Sequence, residues 1–330
     1  MKLATYKDGS RDGQLVVVSR DLASAHYATG IASRLQQVLD DWGFLAPQLQ
    51  DLSVSLHHGR ARHAFPFDPA QCMAPLPRAC HWASAPAWLH TLESPWLARG
   101  EAVPPSALAA PALVRGAADA LAGPHDAIAV ASEALGADFG AALAVVTGDV
   151  PQGATAEQAL DGVRLVLLAN ETVLRSVQAA EAQAGVPPLQ SRARTAFAPV
   201  AVTLDELGDA WQGGRPHLTV QTHWNGRKVG LAESGPEMAF HFGELIAHAA
   251  RTRPLAAGSI VGAGPVGNRD RSRGYATIAE KRLEETRQDG AARTGWLRFG
   301  DTVRIEAKGR DGQPVFGAIE QELVPLHAPD

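Results

Sequence analysis

Apolar residues in this chain fall into short blocks more often than into long helical stripes. Leu15–Ser19 (LVVVS) reads as a strand. Ser24–Trp42 places apolar residues at helical spacing, and a second helix is predicted over Ala46–His57. Cys72–Pro77 (CMAPLP) suits extended chain, because two nearby prolines disfavour helix. Between Ala83 and Pro124 the pattern lapses: Ala and Pro abound, strand formers are few, and tryptophans (Trp88, Trp96, with Trp82 just before) are scattered. From Asp126 onward it returns. Ala127–Ala131, Ala141–Thr147 and Val163–Leu168 read as strands. Thr155–Gly162 reads as a short helix, with Thr155 and Gln158 at capping-box spacing. His217–His223 and Lys228–Leu231 flank Asn225-Gly226, a strong hairpin signal. Phe242–Arg251 is helical, and Ser259–Val261 is a buried strand ending in the glycine-rich Gly262–Gly267. Asp301–Ala307 and Pro314–Gln321 form a terminal hairpin around Gly309–Gly312. The predicted class is α+β and β-rich, with no internal repeat.

Composition narrows the function. The 330 residues are 45% apolar and 20% charged, which fits a globular chain with ample core. A net charge of −5 argues against a nucleic-acid binder, which needs a basic surplus. No apolar run reaches the ~18 residues of a membrane span. The first residues, MKLATYKDGSRDGQ, lack the apolar core of an export signal, so a cytoplasmic location is expected. Two cysteines, Cys72 and Cys80, supply neither a disulfide framework nor a four-ligand zinc site.

Several longer runs carry a resemblance. They are Asp138–Val150 (DFGAALAVVTGDV), Gly162–Asn170 (GVRLVLLAN), Thr195–Leu207 (TAFAPVAVTLDEL), Phe242–Arg251 (FGELIAHAAR) and Arg271–Arg282 (RSRGYATIAEKR), then Leu297–Ile305 and Phe316–Glu320. In order and along the whole chain, the sequence resembles the fumarylacetoacetate hydrolase family, in its proteobacterial branch. The resemblance implies a small N-terminal domain (1–72), then the family's mixed β-sandwich roll (73–330), usually as a homodimer. It implies Mg²⁺ or Ca²⁺ held by four carboxylates. It also implies action on 2,4-dioxo acids in aromatic catabolism, by hydrolysis, hydration or decarboxylation, with a Glu-paired His activating water.

Position by position, the cation cage is depleted. A Glu-x-Glu on a strand puts two carboxylates on one face, but the aligned positions here are Gly140 and Ala142. The carboxylate before the catalytic His aligns with Ser84, and that His with Thr91; His90 is one residue away, a turn of about 100° on a helix. His81 and His125 match no ligand spacing. Glu171 is the sole surviving metal-ligand candidate. The family Lys aligns with Arg192, beside an unusual Arg194, and the carboxylate-binding Thr with Pro265. The family's Tyr-Gln-Gly-Gly-Ser run aligns with Val114–Ala118. Glu280, which would orient the His, is kept; so are Arg175 and Gln178 at substrate-pocket positions, the alternative for Arg175 being a salt bridge to Glu171 if the segment is helical.

These losses predict a family member without a resident cation, catalytically silent or metal-independent. It would bind a small carboxylate through Arg175, Gln178 and Arg192, or pair with an active paralogue. The alternative is a working hydrolase, hydratase or decarboxylase for 2,4-dioxo acids, using Glu280, Glu171 and a shifted histidine, His90 or His81. A third reading repurposes the emptied apolar cavity for a cyclase or isomerase.

Overall fold

The computed structural model describes residues 1–326. Its frame is a large sheet built around Ala141–Thr147 (AALAVVT), every residue of which is buried. Odd positions Ala141, Leu143 and Val145 face one core, and even positions Ala142, Ala144 and Val146 face a second. A strand covered on both faces has no reason to alternate, so it reads as one apolar run.

Its neighbours are Val163–Asn170 and Ser259–Pro265, both antiparallel to it. Beyond Ser259–Pro265 lies His81–Ser84, parallel, and then Val114–Arg115. On the other side, Val163–Asn170 leads through Ala201–Val202 to Lys2–Tyr6, Gln14–Val18 and Ser24–Tyr27. The strands of the first seventy residues therefore belong to the same sheet as the rest. A second, five-stranded sheet holds Arg227–Glu233, Thr219–Trp224, Thr302–Lys308, Pro314–Pro325 and Ile128–Val130. One core lies against this sheet, with Ile305, Phe316 and Ile319 packed near Leu143 and Val145. The other lies under Leu35–Asp40 and Trp42–His57, with Leu35, Val38 and Leu49. The class is α+β and sheet-rich. No helix among the described residues is long and apolar enough to cross a membrane.

Two expectations need correction. Ser24–Trp42 is not one helix: Ser24–Tyr27 is a strand, and the helix covers only Leu35–Asp40. The ladder offered by Gln14–Val18 outcompetes local spacing, and Gly30, at φ 93°, ends the extended segment. The poorly patterned Ala83–Pro124 region holds the ordered helix Leu89–Leu97, preceded by the strand His81–Ser84 inside the main sheet.

Candidate functional site

Strand ends and helix starts converge on one cavity of about 250 Å³. Ser84 closes His81–Ser84, Pro265 closes Ser259–Pro265, and Glu171 follows Val163–Asn170. His90 stands in the first turn of Leu89–Leu97, Arg175 opens Arg175–Gln183, and Glu280 stands in the first turn of Ile278–Asp289. Ser84, His90, Thr91, Glu171, Arg175, Gln178, Arg192, Pro265 and Glu280 all line the cavity, so residues far apart in sequence meet there. His81 and His125 are not among its lining residues. A larger cleft of about 830 Å³, between Lys2, Arg20 and Arg310, contains none of them.

Glu171 is 3% exposed and fully engaged. Ser84 donates its hydroxyl to Oε1 at 2.7 Å, and Arg192 donates Nη1 to Oε2 at 3.2 Å. Arg192 is placed by its loop. Glu181 accepts the amides of Leu189 and Gln190 at 2.9 and 2.6 Å and the Ser191 hydroxyl at 2.5 Å. Those bonds, that of Ser191 first, hold the Glu181 carboxyl below its ordinary range.

Arg175 does not pair with Glu171. Its Nε donates to Asp138 at 2.9 Å, and its Nη1 to Gln178 at 3.0 Å. The helix begins at Arg175, so the helical i,i+4 geometry with Glu171 does not exist. Asp138 is fully buried and also accepts the amides of Ile278 and Ala279 at 2.7 and 3.0 Å, at the positive end of their helix. Burial pushes the Asp138 carboxyl up, while Arg175 and the two amides pull against it.

His90 is where the expected register was uncertain. The helix begins at Leu89, and this turns His90 so that Nε2 is 2.8 Å from Glu280 Oε1. Thr91 also reaches the cavity, with its buried hydroxyl unpartnered.

The residues present do not suit a divalent cation. Gly140 cannot carry a side chain in place: an added Cβ would stand 2.7 Å from the Glu171 carbonyl oxygen and 3.2 Å from the Pro265 ring. Ala142 is sealed in the apolar core, opposite Ala169 in the sheet. Glu171 already has a hydroxyl and a guanidinium on its two oxygens. Among the described residues, no group of three or more His, Cys, Asp or Glu could hold a metal ion. A hard cation wants at least six oxygens.

Asp138, Glu181, Ser94 and Arg271 were not singled out from sequence. Asp138 and Arg271 lay inside quoted runs without being picked out, and Glu181 and Ser94 carry no motif.

Residues 1–78 match the profile of fumarylacetoacetase N-terminal domain 2. Residues 90–324 match that of the fumarylacetoacetate (FAA) hydrolase C-terminal domain. No curated protein matches the chain by sequence. Among solved structures, the fumarylacetoacetate hydrolase of psychrophilic Exiguobacterium antarcticum superposes with a TM-score of 0.68 at 17% identity, over 99% of this chain and 100% of that one. A maleylpyruvate hydrolase of Sphingobium sp. SYK-6, in complex with manganese(II) ion and pyruvate, gives 0.64 at 17% with the same coverage. A 2-hydroxyhepta-2,4-diene-1,7-dioate isomerase of Mycobacterium marinum gives 0.62 at 15%, again over 99% and 100%. Those identities speak for the fold alone. The profile match over most of the length carries the rest: the chain belongs to the fumarylacetoacetate hydrolase family.

Proposed function

We propose that this chain is a metal-independent member of its family, whose pocket takes a small monocarboxylate with an apolar body. The observation that carries this reading is the Ser84–Glu171–Arg192 cluster. The guanidinium supplies, from within the chain, the positive charge that a cation would bring to Glu171. Arg192 uses one N–H on Glu171 and keeps others for a ligand carboxylate. Ala85, Pro86, Val114, Pro188 and Leu283 line the remainder, which suits an apolar body. The same reading keeps a cytoplasmic homodimer, with an active paralogue as the alternative partner.

Calorimetric titration tests it. Mg²⁺, Ca²⁺ and Mn²⁺ should give no micromolar binding, whereas phenylpyruvate should bind and lose at least about tenfold in affinity in Arg192→Met. Micromolar metal binding would overturn the proposal.

A second reading, hydrolysis of 2,4-dioxo acids, is favoured by the 2.8 Å His90–Glu280 contact at the cavity wall. Its signature is acylpyruvate cleavage that ignores chelators and is abolished by Glu280→Gln. Absence of cleavage leaves the binding reading standing and removes this one.

A further inference from the structure

The two ring nitrogens of His90 meet partners with incompatible demands. Ser94 Oγ lies 2.9 Å from Nδ1 and 3.3 Å from Nε2, and it donates its single proton to the His90 carbonyl at 2.7 Å. Only lone pairs remain for the ring, and Nδ1, the nearer nitrogen, can offer them a proton. Nε2 lies 2.8 Å from Arg271 Nη1 and 2.8 Å from Glu280 Oε1. A guanidinium only donates, so toward Arg271 the nitrogen must offer its lone pair. An ionised carboxylate only accepts, so toward Glu280 it must offer a proton. Both cannot hold together. Glu280 Oε1 is correspondingly a buried oxygen without a hydrogen-bond partner, while Oε2 accepts the Ala276 amide at 3.0 Å. Arg271 has a second seat, since its Nε is 3.3 Å from Glu284 Oε2.

We propose that Arg271 is a positioning residue for His90. It holds the ring as a neutral imidazole protonated at Nδ1, with the Nε2 lone pair ready as a base. When Nε2 takes a proton from a ligand or a water, the donor keeps the bonding electron pair. The Arg271–Nε2 bond breaks, the new N–H turns to Glu280, and the guanidinium settles on Glu284. The other charged groups around the ring are occupied elsewhere: Glu93 accepts from Arg269 Nε at 2.9 Å, Glu237 accepts the Arg269 amide at 2.7 Å, and Arg287 donates to Glu284 at 2.7 Å. The inference rests on reading His90 and Glu280 as the proton-handling pair of the proposed pocket.

Nitrogen-15 NMR of histidine-labelled protein at pH 8 tests it, with His90 assigned by His90→Asn. The wild type should show a protonated Nδ1 and an unprotonated, hydrogen-bonded Nε2. In Arg271→Met, the fraction of neutral rings carrying their proton on Nε2 should rise about threefold or more, because Glu280 is left as the acceptor facing that nitrogen. Arg271→Lys, which keeps a cationic donor, should return the spectrum toward wild type. A wild-type ring protonated at Nε2, or an Arg271→Met spectrum identical to wild type, would overturn the inference. The wild-type spectrum decides even if the variant does not fold. Phenylpyruvate titration of the same samples separates the two ideas: binding with the wrong tautomer sinks only the role of Arg271, and the right tautomer without binding sinks only the ligand reading.

Discussion

Replacing Arg192 by methionine removes the positive charge from Glu171 while keeping much of the side-chain bulk. The carboxylate is 3% exposed and the guanidinium 18% exposed, at 3.2 Å. At an effective dielectric constant of ~20, the lost attraction is about 5 kcal/mol before solvation is counted. Water reaching the partly exposed site recovers some of that, and measured losses on breaking buried pairs run about 3–5 kcal/mol. About 3 kcal/mol is therefore expected. With an unfolding entropy of about 2.1 cal/mol/K per residue, a chain of this length changes stability by about 0.7 kcal/mol per degree, so the thermal midpoint should fall by about 4 °C. Calorimetry at pH 7 measures it. The double variant Arg192→Met/Glu171→Gln should recover most of the fall, because an amide keeps the Ser84 hydrogen bond without an unpaired charge. A single variant within 1 °C of wild type, or a double variant no better than the single, would show that Arg192 does not neutralise Glu171.

Two further expectations concern charge buried elsewhere. Burial, helped by the Arg115 and Arg253 charges, pushes His81 down to about 4. Against an unfolded value of about 6.5, its contribution to stability is complete above that pH and is lost as pH falls through about 4. In His81→Leu the acid unfolding midpoint, followed by circular dichroism, should therefore move to lower pH; coincident acid limbs would refute this. Asp138→Ala strips Arg175 of its partner and leaves the Ile278 and Ala279 amides without their acceptor, so a loss of about 3–5 kcal/mol is expected. Asp138→Asn, which retains an acceptor oxygen, should lose less; equal thermal midpoints for the two variants would count against the cap.

Legibility from sequence followed how locally each element is determined. Ala141–Thr147 was readable because burial on both faces demands an unbroken apolar run. The Asn225-Gly226 turn was readable because both residues adopt positive φ, 49° and 74°. The Thr155 cap was readable because its partner Gln158 is three residues away. Ser24–Tyr27 was not, since its conformation is imposed by a ladder to Gln14–Val18. Leu89–Leu97 was obscured by Pro95 within it and by the prolines and alanines around it. The site divides in the same way. Positions such as Ser84, Glu171 and Arg192 were identifiable by alignment, but their mutual bonds depend on three separate segments meeting. The choice between His90 and Thr91 turned on a single residue of helix register, which only the fold specifies. The acid that holds Arg175 was not legible, because Asp138 reaches it from a distant strand.

Lys2–Tyr6 finds one of its two lateral partners in Ala201–Val202, with Lys2 opposite Val202 and Leu3 opposite Ala201. During synthesis, some two hundred residues must leave the ribosome before that seam can close. Until then Leu3 and its neighbours have only the hairpin with Gln14–Val18 to shelter them. That edge of Lys2–Tyr6 thus stays open while the two hundred residues after it are made, and nascent chains stalled before Ala201 should be the ones that chaperones hold longest.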